Sequence, residues 1–197
     1  MKKYITIFIS FIIVLSIIIY STNYKKYNMT IMPSKLSKQE IMILDLVGVE
    51  KSSIFDYHVD NNVKSAIVEI TKYEKGKTPE IKSSSNTNIS NKFGRIEIDY
   101  ALNDLQCRVA FKEKDGVSSA TIKENIDNED NKGYAKSILS KSLNIKLNEK
   151  IPLIFVATNN NGSISMYDVE QYNDKPELLN EYDSAKLITI TFSDNEF

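Results

Sequence analysis

The sequence GRIEIDYALNDLQCRVAFKEKDGVSSATIK, residues 94–123, decides the fold. Apolar and polar side chains alternate through Gly94–Leu102 and again through Leu105–Lys112, and a DG turn separates the second run from Val117–Lys123. Alternation with a period of two is typical of strands with one buried face, and short polar turns join antiparallel neighbours. The stretch therefore predicts a three-strand antiparallel meander with Cys107 on its buried face.

Shorter runs on both sides of the meander predict further strands. We predict strands in Ser53–Asp60, Val63–Lys75, Leu143–Leu147, Ile151–Thr158, Ser163–Gln171 and Leu187–Phe192. The sequence NNNG at 159–162 indicates a hairpin that joins two of them. The Ser- and Asn-rich segment Thr78–Lys92 is interpreted as a surface loop that can include a short edge strand.

Helices are predicted to be few and short. The clearest is Lys38–Val47, because Ser37 and Glu40 form a capping-box pattern and Gly48 suits a helix C-terminus. We expect its apolar side to pack on the domain. Two other short helices are predicted, at Tyr134–Lys141 and from Asp174-Lys175-Pro176 to about Tyr182. About eight strands and no repeated strand–helix unit predict a mainly β fold, an antiparallel β-sandwich or barrel-like domain with one or two short helices.

A long apolar run precedes this domain. Residues 4–24 carry no charge and lie between two pairs of lysines, and about twenty such residues span the ~30 Å hydrocarbon core of a bilayer. The run has no Ala-x-Ala cleavage pattern and no following cysteine for a lipid, which favours an uncleaved anchor over the alternative, a cleaved secretory signal. We predict a transmembrane signal anchor at 1–26, a linker at 27–35 and an extracytoplasmic β-rich domain at 36–197. The chain would then be a single-pass protein of the cell membrane, with its C-terminal domain outside the cytoplasm.

The composition excludes several functional classes. The formal net charge is −1, from 25 basic and 26 acidic residues, so the chain lacks the basic surface typical of nucleic-acid binding. Cys107 is the only cysteine, so no intrachain disulfide can form. The sequence contains no Gly-rich phosphate loop, no G-x-S-x-G and no H-E-x-x-H motif, and we predict no cofactor.

One constellation could carry chemistry. Asp56, His58 and Asp60 alternate within a predicted strand, so two carboxylates would flank the chain's single imidazole on one face. Such a face could hold a metal ion or a general base, but a solvated polar edge explains it more simply. We therefore assign no catalytic or metal-binding residue and keep these three as candidates.

Several short motifs carry a resemblance to other proteins: Leu36–Glu40 followed by Gly48, Phe55–Tyr57, Tyr73–Lys77, Glu149–Leu153 and Thr189–Phe192. Together with the apolar N-terminal run, they resemble uncharacterised membrane-anchored or lipoprotein-type extracytoplasmic proteins of low-GC Gram-positive bacteria. The resemblance implies an extracytoplasmic location. It supplies no activity and no site residues, and this chain lacks the cysteine to which the lipoprotein-type members attach lipid.

Two functional hypotheses follow. The first is a non-catalytic, membrane-tethered module that binds a protein or peptide partner in the cell envelope, in an accessory, sensory or immunity-type role. The alternative is a cell-envelope enzyme with a carboxylate and histidine site, or a metal-dependent site, around His58. The absence of a catalytic motif favours the first, since a fold alone does not define a function.

Overall fold

The computed structural model describes residues 28–48, 53–100, 106–123, 133–160 and 164–196. Within these ranges two antiparallel sheets pack against each other, which confirms the predicted mainly β, sandwich-like architecture. The first sheet has the strand order β7 (Gly116–Lys123), β6 (Gln106–Glu113), β5 (Phe93–Tyr100), β2 (Ile54–His58), β1 (Thr30–Pro33) and β9 (Leu143–Asn144). The second has the order β4 (Glu80–Asn88), β3 (Ser65–Glu74), β11 (Ser184–Ser193), β10 (Lys150–Asn159) and β8 (Gly133–Ile138).

Short helical elements accompany the sheets in the described ranges. They are α1 (Lys38–Val47), α2 (Gln171–Asp174) and a 3₁₀ helix (Pro176–Glu181). The prediction for α1 is confirmed with both of its caps, because Ser37 and Glu40 form the reciprocal capping box and Gly48 adopts the left-handed conformation with φ 73°. Glycine has no Cβ atom, so it adopts the left-handed conformation of this C-cap without steric strain.

The predicted meander is confirmed as β5, β6 and β7. Tyr100 lies opposite Cys107, and Ile98 lies opposite Val109. Cys107 and Val109 are fully buried, as the alternation predicted. The inner faces of the two sheets meet in one core, in which the ring of Tyr57 from β2 lies 5.4 Å from that of Phe192 in β11.

The second sheet is buried on both faces at its centre. Eight consecutive residues of β10 are buried, because one face packs on the first sheet and the other lies under the segment that contains α2 and the 3₁₀ helix. Phe155 of β10 stacks on Tyr172 with ring centroids 3.8 Å apart. The segment over β10 is held together by a hydrogen bond between Tyr172 Oη and Tyr182 Oη at 2.7 Å. Tyr182 Oη in turn donates to the Ser165 carbonyl at 2.8 Å.

Two segments contain more strand than predicted. Thr78–Lys92, interpreted as a surface loop that can include a short edge strand, consists largely of β4, a nine-residue edge strand that pairs with β3 from Ser65 to Lys72. Tyr134–Lys141 contains β8 and not a helix. Its apolar spacing suits either structure, and pairing with β10 decides between them.

The predicted C-terminal hairpin is also wrong. The chain after NNNG does not return as a strand beside β10, whose neighbours are β8 and β11. Residues 164–168 have no regular structure and lead to α2, and the short helix predicted from Asp174 to about Tyr182 is present as the 3₁₀ helix. The predicted strand at Leu143–Leu147 is reduced to the two residues of β9.

The segment interpreted as a linker, 27–35, contributes β1 to the first sheet. Thr30 pairs with His58 on one side and with Asn144 on the other, and Ile31 is fully buried. A fragment that began at Met32 would therefore lose a core side chain, so any fragment of the domain should begin by residue 28.

Candidate functional site

The structure separates the three residues of the predicted constellation. Asp56 and His58 lie in β2, and Asp60 lies two residues beyond the end of the strand, where it accepts the backbone N–H of Asn62 at 2.9 Å. Asp56 accepts a hydrogen bond from Arg95 Nε at 2.7 Å, and the His58 ring stacks on Phe93 at 4.4 Å. Within the described ranges no group of three or more His, Cys, Asp or Glu side chains is arranged to hold a metal ion.

A groove lies between α1 and the outer face of the first sheet, and it was not predicted. It encloses about 360 Å³. Six of its lining residues are apolar: Leu36, Ile43, Leu44, Ile54, Ala110 and Val117. The other five are charged: Glu40, Arg95, Glu97, Arg108 and Lys112. Sequence patterns alone could not show it, because it joins α1 to strands some fifty to seventy residues further along the chain.

Arg95 holds α1 on the sheet. Its guanidinium donates to Glu40 of α1 at 2.7 Å and to Asp56 of β2 at 2.7 Å, so one side chain joins a helix to two strands. The backbone N–H of Ser37, followed by the Ser37 hydroxyl and then Arg95, lowers the pKa of Glu40 to about 2. The hydrogen bonds to the ionised Glu40 carboxylate stabilise the fold fully above the ordinary carboxyl pKa, and this stabilisation is lost as the pH falls toward 2. Strong acid should therefore weaken the N-terminal cap and the Arg95 bridge together.

Three large apolar side chains of α1 are exposed, together with the polar Lys38, Gln39 and Asp45. The side chains of Met42, Ile43 and Leu46 are 63%, 52% and 81% exposed, so the expectation that α1 packs its apolar side on the domain holds only for the half-buried Ile41 and Leu44. Phe93, 65% exposed, shares the outer face of β5 with Arg95, and Val117 lines the groove. We call the surface formed by Met42, Ile43, Leu46, Phe93 and Val117 the α1 face.

The strand β4 lies at the edge of the second sheet, and its C-terminal end approaches β7 of the first sheet, where Thr87 Oγ1 lies 3.2 Å from Ser118 Oγ. It is nine residues long, and in the part of the chain that the structure describes it pairs with β3 alone. Residues 83–88 are all Ser, Asn or Thr, without charge or proline, and Ser84, Asn86 and Asn88 are exposed. Natural sheets usually protect a long edge with lysine, proline or a bulge, since its free backbone groups accept another strand. Residues 83–88 carry neither residue type, and the bulge opposite them lies before Ser83.

A carboxylate network closes the end of the sandwich near β2. Glu113 accepts hydrogen bonds from Tyr57 Oη at 2.9 Å and from the backbone N–H of Ser90. Burial raises the pKa of Glu113, but the hydrogen bonds from Ser90, Tyr57 and Asn91 outweigh it, so its pKa lies below the ordinary value. Because the chain's own donors occupy this carboxylate, the network is structural.

These features define an all-antiparallel β-sandwich domain with a helix beside one sheet and an uncharged edge segment on the other. The chain belongs to the YgaN domain family, which matches residues 30–192, from the start of β1 almost to the end of β11. This is a family of unknown function, so the predicted resemblance is confirmed to that extent. No curated protein and no solved structure matches the chain.

The predicted transmembrane segment, 1–26, lies outside the described residues. In the ranges that are described, no helix has the length and apolar character needed to cross a bilayer.

Proposed function

We propose that this protein is a membrane-tethered, extracytoplasmic module that binds an extended segment of a protein or peptide partner without catalysis. The observation that carries the proposal is the uncharged segment 83–88 of the edge strand β4, which follows the ion pair of Glu80 and Lys82. The tether is supported by the uncharged run at 4–24 and by the resemblance to membrane-anchored proteins of low-GC Gram-positive bacteria.

An edge strand recognises a partner mainly through its backbone. A partner strand that adds to β4 would form a ladder of main-chain hydrogen bonds, and side chains facing the partner would provide the specificity. Here Ser84 and Asn86 are small or polar and exposed, so they can hydrogen-bond a neighbouring strand without steric or charge conflict. This mode suits an accessory, sensory or immunity-type role, in which binding itself is the output.

The geometry gives less support to an envelope enzyme around His58. A general base or metal ligand needs free lone pairs, but the carboxylate of Asp56 binds the guanidinium that also holds α1. Asp60 is used in its own turn. Chemistry at this position would therefore compete with the contacts that keep α1 on the sheet.

The test is site-specific photo-crosslinking in living cells. A photoreactive residue at position 86 of β4 should give one discrete crosslinked product with a partner protein. The matched control is position 134 on β8, the other edge of the same sheet, where Tyr134 is 62% exposed and no product is expected.

A second change makes the test specific for strand addition. Ser84→Lys puts a charge beside the partner strand, so it should abolish the product at position 86 while leaving thermal stability unchanged, since exposed substitutions usually cost within about 0.5 kcal/mol. Equal products from positions 86 and 134, or a product that persists in Ser84→Lys, would contradict binding at β4.

A further inference from the structure

The exposed large apolar side chains are unevenly distributed. Of the seven in the described residues, five belong to the α1 face, and the other two, Ile81 and Tyr134, lie on edge strands of the second sheet. Scattered exposed apolar residues are ordinary, whereas a group of them on one surface marks a place of interaction. Leu46, 81% exposed, is the most exposed of all seven.

The path of the chain brings this surface near the proposed anchor. Only residues 27–29 separate Lys26 from Thr30, the first residue of β1, and an extended chain spans at most ~3.6 Å per residue. Thr30 therefore lies within roughly 15 Å of Lys26 and within roughly 22 Å of Tyr24, the last residue of the apolar run. Thr30 pairs with His58, and His58 pairs with Phe93, so Phe93 is two strands, or roughly 10 Å, from Thr30.

The chemistry of the surface suits a bilayer interface. Met42, Ile43 and Leu46 lie on one side of α1, which also exposes Gln39 and Asp45, and the exposed lysines Lys35 and Lys38 lie at its N-terminal end. Helices that lie in the interface combine such an apolar side with basic residues, which are attracted to anionic headgroups. The groove beside α1 is lined by the basic side chains of Arg95, Arg108 and Lys112 and by the acidic side chains of Glu40 and Glu97.

We propose that the α1 face docks on the lipid bilayer that holds the anchor, with Met42, Ile43 and Leu46 at the boundary between headgroups and acyl chains. This inference rests on the proposed tether, because an untethered domain has no reason to lie at this distance from lipid. The consequence is an oriented domain, in which the first sheet faces the membrane and β4 of the second sheet stays accessible to a partner.

The test uses the absence of tryptophan from the chain. In full-length protein reconstituted into vesicles of phosphatidylethanolamine and phosphatidylglycerol, Leu46→Trp introduces a single fluorophore on the α1 face. We expect its emission to fall at least twofold when the lipids carry brominated acyl chains, which quench tryptophan on contact. Tyr134→Trp, on the far edge of the second sheet, is the matched control and should not be quenched.

The specificity of the contact can be tested in the same vesicles. Ile43→Asp, added to Leu46→Trp, places a charge within the apolar surface and should remove the quenching, because a carboxylate is costly among acyl chains. The capping box and the Arg95 contacts do not involve Ile43, so the helix should remain in place.

The outcomes separate this inference from the tether. If the chain stays in the vesicle pellet after an alkaline wash but Leu46→Trp is not quenched, the tether is supported and the proposed lipid contact is wrong. The α1 face would then be a surface for a protein partner. If the chain leaves the pellet, the tether fails and the inference fails with it. Equal quenching at positions 46 and 134 would also contradict it, since it would show no preferred face.

Discussion

Replacing Gly94 with alanine is expected to destabilise the domain by about 1–3 kcal/mol, the usual cost of overpacking a core. Gly94 lies opposite Tyr57 in the first sheet, and a Cβ atom at this position would overlap the tyrosine ring. The ring cannot withdraw easily, because it is 2% exposed, donates to Glu113 at 2.9 Å and packs on Phe192. Urea unfolding of the fragment 28–197 would measure the loss.

Gly116→Ala provides the matched control. Gly116 begins β7, and nothing lies within 4 Å of the position of its Cβ, so the free energy of unfolding should change by no more than about 0.5 kcal/mol. Equal effects of the two substitutions would show that the close contact between Gly94 and Tyr57 does not exist, and the register of β2 against β5 would then need revision.

Phe155→Ala should have the largest effect, a loss of about 3–5 kcal/mol. Phe155 is fully buried and stacks on Tyr172 at 3.8 Å. Its removal therefore leaves a cavity and weakens the packing of the segment with α2 and the 3₁₀ helix on the second sheet. The same urea measurement would show the loss, and limited proteolysis should show faster cleavage between residues 164 and 182. In the control Phe93→Ala, the lost ring is 65% exposed, and the expected cost is below about 1 kcal/mol.

These expectations would fail together if the segment with α2 were not packed on β10. In that case Phe155 would lose no partner, and Phe155→Ala would cost no more than the removal of an exposed ring such as that of Phe93.

The sequence predicted those elements whose signals are local. Alternation and a tight turn determine the meander of β5, β6 and β7, and the capping box and Gly48 determine α1. Each signal lies within a few residues of the element that it describes, so no knowledge of the rest of the chain is needed.

The elements that were missed depend on distant partners. The strand β4 is rich in Ser and Asn, which favour loops, and it is a strand because β3 pairs with it. The strand β8 has a spacing that also fits a helix, and β10 decides its conformation. The hairpin signal NNNG was misleading because both neighbouring positions of β10 are taken by β8 and β11.

The candidate sites show the same limit. Sequence reasoning identified Asp56 and His58 as neighbours on one strand face, but it could not show that Arg95, 39 residues away, binds Asp56. It also could not find the α1 face or the exposed edge of β4. Both features are defined by exposure, which follows from the packing of the whole domain.

Membrane fractionation combined with protease treatment of intact cells would show whether the binding domain is tethered outside the cytoplasm. We predict that the full 22.5 kDa chain stays in the membrane pellet after an alkaline wash and that protease added outside the cells digests the domain. Recovery of a shortened, soluble form would show a cleaved signal instead, and complete protection from external protease would place the domain inside the cell. Either result would contradict the account.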